Sequence, residues 1–336
     1  MAKSIVSRES AEIHHLRNIV EAPHNPGIPF DPEPVAGVRV NLSAVERRAA
    51  TLPKRRTVKK EWQAAWMVRA IQCIDLTTLN SDDTDGRVRR LCAKAMRPLG
   101  DELQEALGLG GRRITTGAVC VYHRFVATAV DALKGSGIPV AAVSTAFPAG
   151  LSPMNTRLEE IDASVADGAR EIDVVITREH VLTGNWQALY DEVKAFKAAC
   201  GPAHMKTILG TGDLKTLRNV GRASWVAMMA GSDFIKTSTG KEGVNATLPV
   251  ALVMVRAIRA YREMTGNIVG FKPAGGIATA KDVMAFQFVM KEELGDEWLQ
   301  PGLFRIGASS LLADIERQLE YFITGRYASF DHHAMA

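Results

Sequence analysis

The stretch Asp233-Phe234-Ile235-Lys236-Thr237-Ser238-Thr239-Gly240-Lys241 decides how this chain folds. Residues 233–237 have the short apolar pattern of a β-strand, and the hydroxyl residues and glycine that follow read as a loop. A strand of a parallel sheet is covered on both faces and is expected to be apolar. A lysine at its centre therefore needs a reason.

The same anomaly recurs on the neighbouring segments. Asp173 lies in Glu171-Ile172-Asp173-Val174-Val175-Ile176, and Lys206 in His204-Met205-Lys206-Thr207-Ile208-Leu209. Lys272 lies in Val269-Gly270-Phe271-Lys272-Pro273-Ala274. These residues and Gly307 recur at intervals of roughly 30 to 36 residues, each long enough for one helix and two short loops. Working outward, strands are predicted at 70–75, 118–122, 140–145, 171–176, 204–209, 233–237, 268–272 and 303–307. Helices are predicted over 186–199, 248–264, 279–294 and 309–323, with Gly325 as a C-cap after the last. Eight strand–helix units over roughly 250 residues predict an α/β fold of the (β/α)8 TIM-barrel class. The competing doubly wound sheet usually carries a glycine-rich loop after its first strand. Here that position holds Asp75-Leu76-Thr77-Thr78-Leu79-Asn80, without glycine.

The expected organisation is an N-terminal extension over 1–56, a barrel domain over 57–327 and a tail over 328–336. The extension contains Pro23, Pro26, Pro29, Pro32 and Pro34 and reads as irregular, apart from a helix near 12–21. Lys54, Arg55, Arg56, Lys59 and Lys60 read as the solvated entry of a helix continuing through 61–70. An insertion around 100–113 lengthens the connection between the first two strands. The His332-His333 pair reads as unstructured tail rather than as a metal site.

Composition bounds the function. The 336 residues are 46% hydrophobic, 23% charged and 6% aromatic, with a net charge of +4. That charge is too small to argue for nucleic acid, but it suits an anionic small substrate. No segment reads as a membrane span or a secretory signal. Cys73, Cys92, Cys120 and Cys200 have neither CxxC nor zinc spacing and read as reduced, buried thiols of a cytoplasmic protein. A homodimer is the default expectation for assembly.

Four charged residues on consecutive strands point to a shared polar centre, because buried charges are costly unless paired. Lys236 and Lys272 both precede loops, at the C-terminal rim where barrels place their active sites. A lysine is nucleophilic only when neutral, and desolvation with a second cation nearby lowers its pKa. Asp173 then serves as a proton carrier. A purely structural salt-bridge network is the competing reading. Thr237-Ser238-Thr239-Gly240-Lys241, Gly275-Gly276 and Gly307-Ala308-Ser309-Ser310 offer amides and hydroxyls at the late loops, where barrels bind phosphate.

Five segments together resemble the deoxyribose-phosphate aldolase family. They are Asp75–Asn80, Glu171–Val175, Phe234–Gly240, Gly270–Gly276 and Gly307–Leu312, within a match running from about Arg56 to Tyr327. Thr324-Gly325-Arg326-Tyr327 and residues 56–66 resemble the longer-chain branch of that family. The resemblance implies reversible cleavage of 2-deoxy-D-ribose 5-phosphate to acetaldehyde and D-glyceraldehyde 3-phosphate by a class I aldolase, with no metal or organic cofactor. It places the imine on Lys236, with Lys272 lowering its pKa and Asp173 moving protons. Asp75 and Lys206 join the polar centre, and Gly240, Lys241, Gly275, Gly276, Ser309 and Ser310 hold the phosphate. The chain departs from many relatives at Ala278, where a basic residue is common, at Gly210, where Glu is common, and at His123, where Pro is common. The family's C-terminal tyrosine makes Tyr327 a candidate lid residue. Two other functions remain open at this point: a Schiff-base lyase with another donor, and a barrel retained as a binding scaffold.

Overall fold

The computed structural model describes residues 23–55, 57–329 and 332–334; the helix expected near 12–21 and Arg56 lie outside them. The extension contributes α1 (Pro32–Gly37) and α2 (Leu42–Thr51). Then come α3 (Lys60–Cys73), β1 (Ile74–Thr77), α4 (Asp85–Met96), α5 (Asp101–Ala106), β2 (Ala118–Tyr122) and α6 (Val126–Ala132). The chain continues through β3 (Val140–Ser144), α7 (Met154–Ala166), β4 (Glu171–Val175), α8 (Arg178–Leu182), α9 (Trp186–Cys200), β5 (His204–Ile208) and α10 (Leu217–Met229). It ends with β6 (Phe234–Lys236), α11 (Leu248–Thr265), β7 (Gly270–Lys272), α12 (Ala280–Leu294), β8 (Ile306–Ala308) and α13 (Leu311–Thr324).

All the strand pairings are parallel, in the order β7-β6-β5-β4-β3-β2-β1-β8. Parallel bridges Phe271–Phe304 and Ala274–Gly307 join β7 to the β8 side, so the sheet closes into the expected (β/α)8 barrel. Side chains alternate along each strand. Ile172, Val174, Met205, Ile235, Phe271 and Ile306 face outward into the apolar layer beneath the helices. Their neighbours Glu171, Asp173, Lys206, Lys236, Lys272 and Arg305 therefore point into the barrel.

The first strand departs from expectation. Residues 70–73 complete α3, and β1 begins only at Ile74. Ala70 and Ile71 are buried on the helix, and a short apolar run reads alike on a buried helix and a buried strand. The eighth strand likewise spans 306–308 rather than 303–307. Helix ends follow their local chemistry: Thr279 and Asp282 form a capping box at the start of α12, and Gly325 closes α13 in the left-handed region. The 100–113 insertion supplies α5 and a turn.

Residues 23–55 are packed against the barrel. Buried Asn25 donates from its side chain to the carbonyls of Met228 and Ser232, and its backbone N–H donates to Asp233. His24 stacks on His204. Gly27, at φ +71, runs so close to Met229 and Gly231 that a side chain would collide with their backbone. Further on, α2 lies along α11, and Arg48 and Arg55 pair with Glu292 of α12.

Candidate active site

The barrel interior has an apolar side and an ionic side. Leu79, Cys120, Ala141 and Val143 form the apolar side, bordered by Tyr122 and Phe147. Cys120 is packed there, and burial raises its thiol pKa. The ionic side holds seven buried groups: Asp75, Glu171, Asp173, Lys206, Lys236, Lys272 and Arg305. Register explains their convergence. Asp173 pairs with Lys206 across β4–β5, and Lys236 with Lys272 across β6–β7, so alternation turns each pair inward together.

Asp173 is the hub. Its Oδ2 accepts from Lys236 Nζ at 2.7 Å and from Lys272 Nζ at 2.6 Å, and its Oδ1 accepts from Lys206 Nζ at 3.3 Å. Lys272 also pairs with Asp75 at 2.5 Å, and Lys206 pairs with Glu171. Arg305 spans the other end, donating to Asp75 Oδ1 at 2.7 Å and to both oxygens of Glu171.

The titration directions follow from these contacts. Burial pushes the Asp173 carboxyl up, but Lys236, Lys272 and Lys206 together hold it well below the carboxylate range. Burial lowers the Lys272 ammonium, but Asp173 and Asp75 outweigh it and raise it above the ordinary lysine value. Lys236 goes the other way: burial pushes it down, Asp173 pulls it up, Lys272 pushes it down again, and the net shift is downward. The charge count agrees. Three carboxylates face four basic groups, and neutralising one base balances the interior.

A cavity of about 770 Å3 opens over this network. Lys236 lines it, as do Gly240, Lys241, Gly275, Gly276, Ser309 and Ser310, so the six residues read as a phosphate grip share one chamber with the lysine. Asp75, Asp173, Lys206 and Lys272 lie beneath it, fully buried. Ser309 and Ser310 are exposed at the start of α13, and Ser310 caps the helix without a side-chain hydrogen bond. The Gly240 amide donates to Glu242 at 3.2 Å. Farther out the cavity runs between α4 and α13, past Arg87, Lys94, Glu316 and Arg317.

Three outcomes differ from the sequence reading. Tyr327 does not reach the cavity; it stacks on Tyr321 of α13 at 4.4 Å and is 54% exposed. His333 and Ala334 line the cavity instead, with His333 beside Glu316, so this part of the tail is packed rather than unstructured. Sequence reasoning also missed Arg305. It stands inside the predicted eighth strand, so the signal that exposed the other charged residues was present. Arg178 and Glu242, which bridge the rim loops, lie in loop and helix-start segments where charge is ordinary and gives no signal.

The family model for "DeoC/LacD family aldolase" matches residues 69–317, more than half of the chain. The human deoxyribose-phosphate aldolase is 60% identical over 309 residues, covering 91% of this chain and 97% of that protein. The mouse deoxyribose-phosphate aldolase is 61% identical over 311 residues, covering 92% and 98%. Among solved structures, the tetrameric deoxyribose phosphate aldolase of Aeropyrum pernix superposes with a TM-score of 0.54 at 22% identity, covering 79% of this chain and 98% of that one. At that identity the likeness speaks for the fold. The chain belongs to the DeoC/LacD aldolase family, whose members are carbon–carbon lyases. Among its described residues, no helix is long and apolar enough to cross a membrane.

Proposed function

We propose that this chain is a deoxyribose-phosphate aldolase that cleaves 2-deoxy-D-ribose 5-phosphate reversibly to acetaldehyde and D-glyceraldehyde 3-phosphate through an imine on Lys236. The observation that carries the mechanism is geometric: Lys236 Nζ and Lys272 Nζ both donate to one carboxylate oxygen, Asp173 Oδ2. Lys236, at the cavity, is pushed toward the neutral amine, while Lys272 beneath it is held as the cation. The identity to the mammalian aldolases over most of the chain supports the substrate.

The neutral Lys236 amine adds to the aldehyde carbon, giving a carbinolamine that loses water to a protonated imine. A base removes the proton of the C3 hydroxyl, the C2–C3 bond breaks, and its electron pair flows into the imine to leave an enamine. Glyceraldehyde 3-phosphate departs. Protonation at C2 and addition of water then release acetaldehyde and restore the amine. Asp173, through a bound water, carries the protons, and Lys272 donates at the carbinolamine stage. Asp75, Lys206, Glu171 and Arg305 keep these groups oriented and their charges compensated.

The phosphate is held by Lys241, by the glycine backbone at Gly275 and Gly276, and by the amides and hydroxyls at Ser309 and Ser310. The helix start there has no side-chain cap to compete with an anion. Four unpaired, buried cysteines support a reducing cytoplasm as the setting of the reaction.

The test is to incubate the protein with acetaldehyde and sodium borohydride and map the modified peptide. N-ethyl lysine at position 236, with turnover of deoxyribose 5-phosphate, is the expected result. Label at Lys272 reverses the two lysine roles, and folded protein with no strand lysine labelled removes the imine mechanism.

A further inference from the structure

The loop after β6 is held by a carboxylate of its own. Glu242 folds back so that its Oε2 accepts from the Thr239 amide at 3.0 Å, the Thr239 hydroxyl at 2.7 Å and the Gly240 amide at 3.2 Å. Its Oε1 accepts from the Thr239 amide at 3.1 Å and from Arg178 Nη2 at 2.9 Å. The side chain is 3% exposed. Burial pushes this carboxyl up, but the Thr239 hydroxyl and amide outweigh it and keep the group ionised. A buried carboxylate with this many donors is a strut, and its hydrogen bonds are of the stronger, charge-assisted kind.

Arg178 sets the strut from across the barrel mouth. It stands at the start of α8, just after β4, and donates to the carbonyls of Pro148 and Ala149 after β3. Its Nε lies 3.0 Å from Asp213 after β5. One guanidinium thus ties together the loops following β3, β4, β5 and β6. Gly210 makes this possible: its φ is +65, and a Cβ there would collide with the guanidinium.

We propose that Glu242 and Arg178 are positioning residues that set the enzyme's preference for a phosphorylated substrate, by fixing where the Lys241 side chain meets the phosphate. The Thr239 and Gly240 amides are already occupied by Glu242, so this loop offers the anion its lysine. Lys241 is itself held by its backbone N–H, which donates to the Thr239 hydroxyl at 3.0 Å, the same hydroxyl that donates to Glu242. The strut therefore sets the direction in which Lys241 leaves the loop. Lys236, five residues before Lys241 and on β6, is held separately by Asp173. This inference rests on the phosphate grip described above.

The experiment compares 2-deoxyribose 5-phosphate with 2-deoxyribose in wild type, Glu242→Ala, Glu242→Gln and Arg178→Ala, with borohydride trapping of acetaldehyde on each. Losing the strut is expected to raise KM for the phosphate ester roughly tenfold while changing KM for the free sugar little, since misplacement of one binding group is read mainly by the group it contacts. Glu242→Gln, which keeps one acceptor oxygen, is expected to fall between. Lys236 labelling should persist in all four. If Glu242→Ala does not fold, Arg178→Ala carries the test, because its side chain lies at the partly exposed rim. An unchanged ratio of the two KM values in folded variants overturns the inference, as does an equal loss on both substrates. A wild type that does not prefer the phosphate ester would instead remove the phosphate grip on which it rests.

Discussion

Lys236 and Lys272 stand opposite each other across the β6–β7 ladder and donate to the same atom, Asp173 Oδ2, at 2.7 and 2.6 Å. Two ammonium groups on one oxygen are one proton too many for the three carboxylates of the barrel interior. Lys272 has a second acid, Asp75, and Lys236 has no second one among the described residues. Lys236, the lysine that faces the cavity, is therefore the one whose pKa is pushed below the ordinary lysine value.

Removing Lys272 should reverse that choice. In Lys272→Met three bases face three carboxylates, and the interior balances with Lys236 protonated. Imine formation with acetaldehyde at neutral pH is expected to slow about 10²- to 10⁴-fold, the usual range for a lost acid–base partner. The acid limb of the pH–rate profile should move upward, toward an ordinary lysine. A slow variant whose acid limb stays in place would mean that Lys272 acts on proton transfer alone.

Stability should rank the same groups differently. Arg305→Met leaves Asp75 and Glu171 buried without their guanidinium and is expected to cost about 3–5 kcal/mol. Lys236→Met removes the unbalanced base and is expected to cost less than about 1 kcal/mol, or to stabilise. Urea unfolding of both variants decides this. If Lys236→Met is the more damaging, the network is chiefly structural.

Glu316 supplies a second pH dependence. It is 1% exposed, and burial pushes its carboxyl up to about 7 despite Lys94 Nζ at 2.7 Å. A group raised in the folded state adds stability that is complete below its unfolded value and is lost as pH rises through the folded one. Here the window runs from about 4.5 to about 7, with a swing on the order of 3 kcal/mol at 1.36 kcal/mol per unit. Thermal midpoints of Glu316→Gln should vary less across that window than those of wild type. Parallel curves would assign the dependence to other groups.

The extension is predicted to be part of the folding unit. Asn25→Ala removes the side-chain donors to the carbonyls of Met228 and Ser232 and is expected to destabilise the protein by about 1–3 kcal/mol. A midpoint equal to wild type in chemical unfolding would show that residues 23–28 contribute nothing to the barrel.

The sequence by itself determined the barrel and four charged members of its polar centre. Strand and helix recur with a fixed beat, and a charge inside an apolar strand is visible without coordinates because burial makes it costly. Asp173, Lys206, Lys236 and Lys272 were legible for that reason, and the glycine and serine loops were legible from their places after the late strands. The same rule failed at the first strand, where Ala70–Cys73 is apolar enough for either structure and helix α3 claims it. Only the tertiary structure decided which acid each base faces, because pairing depends on register and barrel closure, and sequence spacing does not encode it. Arg305 joins Asp75 and Glu171 only once β8 closes against β1 and β7. Glu242 meets Arg178, and His333 meets Glu316, across loops and a tail whose charged residues look like any solvated surface until the chain folds back on itself.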